Sequence, residues 1–167
     1  AEIVLCEPTL TARQETLDKV VQKTGATFIH PFNYYNVVCG QGTAGLELLE
    51  QVKDLDSVVV PVGGGGLISG VSIAFKGLSP ETDIIGAEPE NADDAYRSLQ
   101  AGKIMPQDNP RTIADGLRTS LGEITFACIQ KNVKEIVLVS EEKIIEAMKL
   151  IWERMKIIVE PSSAITL

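Results

Sequence analysis

Apolar and polar positions change period several times along the chain. A short apolar run predicts a strand over residues 3–6. Over 12–24, Leu17, Val20 and Val21 recur at helical spacing ahead of Gly25, predicting an amphipathic helix that stops at the glycine. A second strand is expected over 26–30, then a loop through Pro31-Phe32-Asn33 and a helix over 43–52 carrying Leu46, Leu48 and Leu49. Residues 57–62 are apolar and β-branched throughout, the pattern of a strand buried on both faces. After four glycines a helical pattern resumes over 67–75. A buried strand follows over 83–87, a helix over 92–101, and a proline-bordered loop over 103–116. The last strand is expected over 136–139, with Ser140 as N-cap of a helix reaching Arg154. Its stripe of Ile144, Ile145, Met148, Ile151 and Trp152 predicts a core face. Strands alternating with helices predict an α/β fold: an open, mainly parallel twisted sheet with helices on both faces.

Composition narrows the classes. The 167 residues are 44% hydrophobic and 23% charged, enough apolar material for a packed core. No apolar run approaches the roughly 18 residues of a membrane span. Fifteen Lys and Arg against 23 Asp and Glu leave a formal charge of −8, which argues against nucleic acid and anionic membranes as partners. Three cysteines, an odd number without a CxxC pair, argue against a disulfide scaffold and structural zinc, and a cytoplasmic setting is expected. Cys6, Cys39 and Cys128 are expected to be small buried residues, and His30, the single histidine, to be structural. The sequence opens on Ala1 inside an apolar run and closes on Pro161-Ser162-Ser163, the first turn of a helix, so a piece of a longer protein is expected.

Gly63-Gly64-Gly65-Gly66 follows a buried strand and opens a helix, the place where open α/β sheets bind ligands. Converging backbone N–H groups at the positive end of a helix suit a phosphate. The plain alternative is a flexible turn that binds nothing. Leu67-Ile68 stands where Lys-Ser/Thr is needed, which argues against a nucleoside-triphosphate loop. A dinucleotide fingerprint is broken at its sixth position by Ser69, although Glu88 lies where a ribose-binding acid belongs. An NAD-binding oxidoreductase domain therefore stays open, as does a non-catalytic binding module.

The stretch from Val59 to Leu67 resembles the phosphate loop of fold-type II pyridoxal-phosphate enzymes. Gly40-Gln41-Gly42-Thr43 and Thr112-Ile113-Ala114-Asp115-Gly116 occur in the same order in the serine racemase and threonine dehydratase group. Trp152-Glu153-Arg154-Met155-Lys156 and Glu160-Pro161 are similar to the racemase side of that group. The resemblance implies that Gly63, Gly64, Gly65 and Gly66 hold the phosphate of pyridoxal 5′-phosphate. It implies Asp115 and Gly116 as a wall on the substrate side, Glu160 near the cofactor, and Lys156 as a contact for a nucleotide effector. Phe32 stands where racemases carry an Asn, and in this it is dehydratase-like.

The same resemblance implies a Mg²⁺ or Ca²⁺ site made of Glu88, the Ala92 carbonyl and Asp94, a set of the hard oxygen ligands such ions prefer. The alternative for that acidic run is a solvated helix start. Residues 1–35 would end a small domain, and 36–167 would form most of a large cofactor-binding domain. The lysine that joins the cofactor as a Schiff base, in a Ser-x-Lys-x-Arg-Gly segment, is absent, so no catalytic residue is assigned within these 167 residues. The whole enzyme would be a serine racemase with accompanying α,β-elimination, or alternatively a threonine/serine dehydratase. It would act on small amino acids, as a cytoplasmic homodimer.

Overall fold

The computed structural model describes residues 2–167, apart from the side chain of Leu10. The chain forms two compact units that meet in sequence at His30 and Pro31. The first holds one helix, α1 (Leu10–Thr24), capped by the Thr9 hydroxyl, which accepts the Ala12 N–H at 3.1 Å. It ends, as expected, on a left-handed Gly25. No strand forms over 3–6 or 26–30. Ile3, Leu5 and Ile29 are exposed, and an extended run becomes a strand only beside another strand. His30 packs edge-on to Phe28, ring centroids 5.7 Å apart.

The second unit is built on three parallel strands in the order β1 (Ser57–Pro61), β2 (Asp83–Pro89), β3 (Glu135–Val139). Val60 pairs with Gly86, and Gly86 with Ile136. Alternation sorts the side chains onto two faces. Val60, Ile84 and Ile136 turn to one face and join Ile68 and Phe75 of α3 (Gly66–Leu78) and Ile129 of α5 (Glu123–Asn132) in the main core. Ala87 and Val139 turn to the other and meet Ile144 of α6 (Glu141–Leu150) and Ile165, which follows α7 (Pro161–Ala164). Helices thus cover both faces, and α4 (Asp94–Ala101) follows β2. Val59 and Val137 remain partly exposed on the second face.

Three elements differ from expectation. The helix expected over 43–52 is α2 (Tyr35–Gln51), eight residues longer at its start. Its buried face is Val38, Gly42 and Gly45, spaced i, i+4, i+7, so Gly42, just ahead of the expected start, and Gly45, inside the expected helix, form the contact stripe against Gly70, Val71 and Ala74 of α3. The final long helix ends at Leu150 and continues as one π turn over Ile151–Met155, closed by a left-handed Lys156. The wider turn rotates the face, so Trp152 is 64% exposed; Ile145 is also exposed, and of the expected stripe only Ile144 is fully buried, with Met148 and Ile151 partly so and Ala147 buried beside them. α5 lies in a segment for which the sequence pattern predicts no element.

Candidate functional site

All three strands end at one edge of the sheet, and the sequence places its chemistry there. β1 runs into the glycine loop, β2 ends on Glu88-Pro89, and β3 ends at the Ser140 cap of α6. Gly63 to Gly66 are all buried. Gly65 has φ +83°, a left-handed conformation that costs an L side chain about 1–2 kcal/mol. It is the N-cap of a 13-residue helix whose first N–H groups have no partner within the helix.

Three walls hem the four glycines, with Phe32 against both Gly64 and Gly66. A β-carbon on Gly63 would stand 2.8 Å from the Gly116 carbonyl oxygen. One on Gly64 would overlap the Phe32 ring, and one on Gly65 would lie 2.9 Å from both Leu121 Cδ2 and Thr125 Cβ. The loop is a backbone surface from which side chains are excluded, at the positive end of α3, and it fits a phosphate monoester. The Asp115-Gly116 turn is held beside Gly63 by α7, whose buried Ser162 hydroxyl accepts the Gly116 N–H at 3.1 Å. Asp115 itself is exposed. Glu160 is the exposed N-cap of α7, and its carbonyl accepts the N–H groups of Ser163 and Ala164 at 3.0 Å. Gly63 to Gly66, Asp115, Gly116 and the start of α7 therefore belong to one neighbourhood.

Glu88 and Asp94 form a separate pair. Both are 0% exposed. The Glu88 carboxylate accepts the N–H groups of Ala95 (2.9 Å) and Tyr96 (2.8 Å), and Asp94 Oδ2 accepts the Leu121 N–H at 3.0 Å. Asp94 Oδ1 is buried without a partner. Burial pushes Glu88 up to about 8 and Asp94 up to about 7, against the backbone donors that favour the charged forms. Two enclosed carboxylates with an orphaned oxygen are a donor set that suits a hard cation. Buried Ala92 lies between them in sequence, its N–H spent on the Pro89 carbonyl. Asp93 is different: it pairs with Arg97 at 2.8 Å on the surface.

Other expectations are corrected. Cys6 and Cys39 are exposed and only Cys128 is partly buried, because the first lies in the irregular segment before α1 and the second on the outer face of α2. Glu88 cannot serve a ribose, since it is enclosed and its oxygens face the start of α4. That removes the structural support for the nicotinamide reading. Thr125 and Ser162, which fix the walls, are not marked as site residues by the sequence pattern. A glycine followed three residues later by a threonine (Gly122, Thr125) at the head of an amphipathic run is the available signal for the first.

Comparison with known proteins agrees with this geometry. The profile described as "Pyridoxal-phosphate dependent enzyme" matches residues 1–167. The β-hydroxyaspartate dehydratase of Paracoccus denitrificans is 50% identical over 165 residues, covering 99% of this chain and 52% of the relative. The serine racemase of Dictyostelium discoideum is 50% identical over 169 residues, covering 100% and 52%. Among solved structures, maize serine racemase superposes with a TM-score of 0.96 at 43% identity over 99% of this chain and 50% of that one. A threonine deaminase from T.th. does so with 0.95 at 48% identity, covering 99% and 56%. The chain spans about half the length of the curated relatives it matches. With its parallel sheet, its glycine loop at the carboxyl edge and a profile match over its whole length, the chain belongs to the fold-type II pyridoxal-phosphate-dependent enzymes.

Proposed function

We propose that this chain is the phosphate-holding half of a pyridoxal-phosphate-dependent serine racemase with accompanying α,β-elimination. The observation that carries the reading is the buried glycine loop with its left-handed Gly65 at the start of α3. In this reading the N–H groups of Gly63 to Gly66 bind and orient the phosphate. Bound there, the cofactor supplies an electron sink for the charge left when an amino acid loses its α-proton. Phe32, packed over Gly64, and the Gly116 turn, packed on Gly63, shape the cup and exclude water from it. The groups that move the proton lie outside these 167 residues, and Asp115, Gly116 and Glu160 are assigned to the walls.

We read residues 1–35 as the end of a small domain and 36–167 as most of the cofactor domain. Glu88, the Ala92 carbonyl and Asp94 are proposed to hold Mg²⁺ or Ca²⁺ as a structural ion, a reading supported by the orphaned Asp94 Oδ1. The complete enzyme is read as a cytoplasmic homodimer with a small amino acid as substrate and a nucleotide effector near Lys156. A threonine/serine dehydratase without racemisation is the second reading, favoured by the apolar Phe32 beside the cup. Incubating the full-length protein with L-serine and with L-threonine separates them. D-serine together with pyruvate is expected; keto acid without D-serine selects the dehydratase, and neither product overturns both.

A further inference from the structure

The glycine loop does not hold its own shape. The Gly64 carbonyl points back into the protein, where a buried side chain meets it. The Thr125 hydroxyl, 0% exposed and 61 residues away, stands 2.8 Å from that oxygen and can donate to it. Gly122 O, at 3.1 Å, is its alternative acceptor, and the same hydroxyl accepts the Gly122 N–H at 3.0 Å. Turning the Gly64 carbonyl inward turns the next N–H, that of Gly65, the opposite way, because the peptide unit is planar and trans.

The segment that carries Thr125 is itself fixed from two further sides. Asp94 Oδ2 accepts the Leu121 N–H at 3.0 Å, and Asn33 Oδ1 accepts the Ile124 N–H at 2.9 Å. Leu121 and Thr125 are also the side chains against which Gly65 packs. One turn thus reaches the acidic residue that opens α4, the loop before α2, and the glycine loop.

We infer that Thr125 is a positioning residue for the phosphate cup: its hydroxyl orients the Gly64–Gly65 peptide toward a bound phosphate, and the turn over residues 121–125 holds it in place. This rests on the reading of the loop as a phosphate site. The role belongs to the hydroxyl and not to the methyl, so the two halves of the threonine side chain should separate. Thr125→Val keeps the volume and removes the hydrogen bonds; Thr125→Ser keeps the hydroxyl and leaves a small cavity.

The test is titration of the chain and its variants with pyridoxamine 5′-phosphate, whose amine cannot condense with the ten lysines. Thermal midpoints are recorded without ligand. Thr125→Val is expected to bind about tenfold more weakly than the parent, the scale of one lost hydrogen bond. Thr125→Ser should bind within about twofold of the parent although its cavity lowers the midpoint. Thr125→Val binding as tightly as the parent, or Thr125→Ser weakened as much as Thr125→Val, overturns the role. If Thr125→Val does not fold, Thr125→Ser and amide exchange in the unmodified chain decide. Ligand should slow exchange of the Gly122 amide about tenfold by holding the turn closed, and an unchanged rate in the liganded chain counts against the clamp. Absence of any binding by the unmodified chain would instead overturn the phosphate reading beneath it.

Discussion

Gly70→Ala sets two opposing effects against each other. Alanine is favoured over glycine inside a helix by about 1 kcal/mol, so propensity alone predicts a more stable protein. Packing predicts the reverse. A β-carbon on Gly70 would overlap Gly42 N and Val38 O of α2 and stand 2.8 Å from the Gln41 carbonyl carbon, where carbon–carbon contacts are optimal at about 3.5–4.0 Å. All three obstacles are backbone, so no rotamer change relieves them, and the helices must part by about 1 Å to restore those contacts. α3 cannot simply retreat, because Ile68 and Phe75 on its other side are 0% exposed against the sheet. Overpacking costs about 1–3 kcal/mol where side chains can give way, and this site lies at or beyond the upper end. The net expectation is a loss of about 2 kcal/mol or more, a fall of about 6 °C in midpoint for a chain of this size. Gly77→Ala in the same helix is the control, since nothing lies within 4 Å of its β-carbon. It should gain about 0.5–1 kcal/mol, or about 2 °C. Urea and thermal unfolding followed by circular dichroism measure both. Equal stability of the two variants would refute the close-packed helix crossing.

The cup makes two similar demands. Gly65→Ala should cost about 1–2 kcal/mol from its left-handed backbone alone, and Gly64→Ala should displace Phe32; both should bind pyridoxamine 5′-phosphate at least about tenfold more weakly, and unchanged affinity would sink the cup. For the acidic pair, Mg²⁺ or Ca²⁺ should raise the melting midpoint of the chain but not of Asp94→Asn; a shift in both, or in neither, returns the pair to structure alone. That shift should be small near pH 6 and grow toward about pH 8.5, since protons held at about 7 and 8 compete with the ion. Without cation the sign is opposite. Both folded-state values are raised above 4.5 and 3.8, so between those values and about 7 to 8 the native chain binds more protons than the unfolded one; this stabilisation is complete below about pH 4, falls steadily as pH rises from there, and is gone above about 8.

How much was legible in the sequence depended on whether local pattern and tertiary role agreed. β1, β2 and β3 were readable as short apolar runs between helical patterns, although only β2 is buried along most of its length and β1, expected to be buried on both faces, leaves Val59 exposed at the edge of the sheet; Ser140 and Gly25 announced their caps. Residues 3–6 misled, because strand propensity acts only through a neighbouring strand. The start of α2 is hidden in the opposite sense: glycine breaks helices by propensity, so the pattern predicts the helix only from residue 43, yet the missing side chains of Gly42 and Gly45 let α2 lie directly on α3. The site followed the same rule. Gly63 to Gly66 stand out as a run, whereas Thr125 and Ser162 are single hydroxyls, 61 and 46 residues from the groups they hold, and no local spacing says what they hold. Asp93 and Asp94 read alike in local pattern, and it is the family resemblance that singles out Asp94; in the structure burial separates the partner of Arg97 from the enclosed carboxylate with an unpartnered oxygen.

The central claim is that the glycine loop recognises a phosphate. Parallel calorimetric titrations of the chain with pyridoxamine 5′-phosphate and with pyridoxamine test it most directly, because the two ligands differ only in the group the loop should bind. The account predicts saturable one-to-one binding of the phosphate ester, at least about tenfold tighter than the alcohol, as expected when a charge-assisted set of backbone donors is engaged. Equal affinities, or binding of neither ligand, would contradict it.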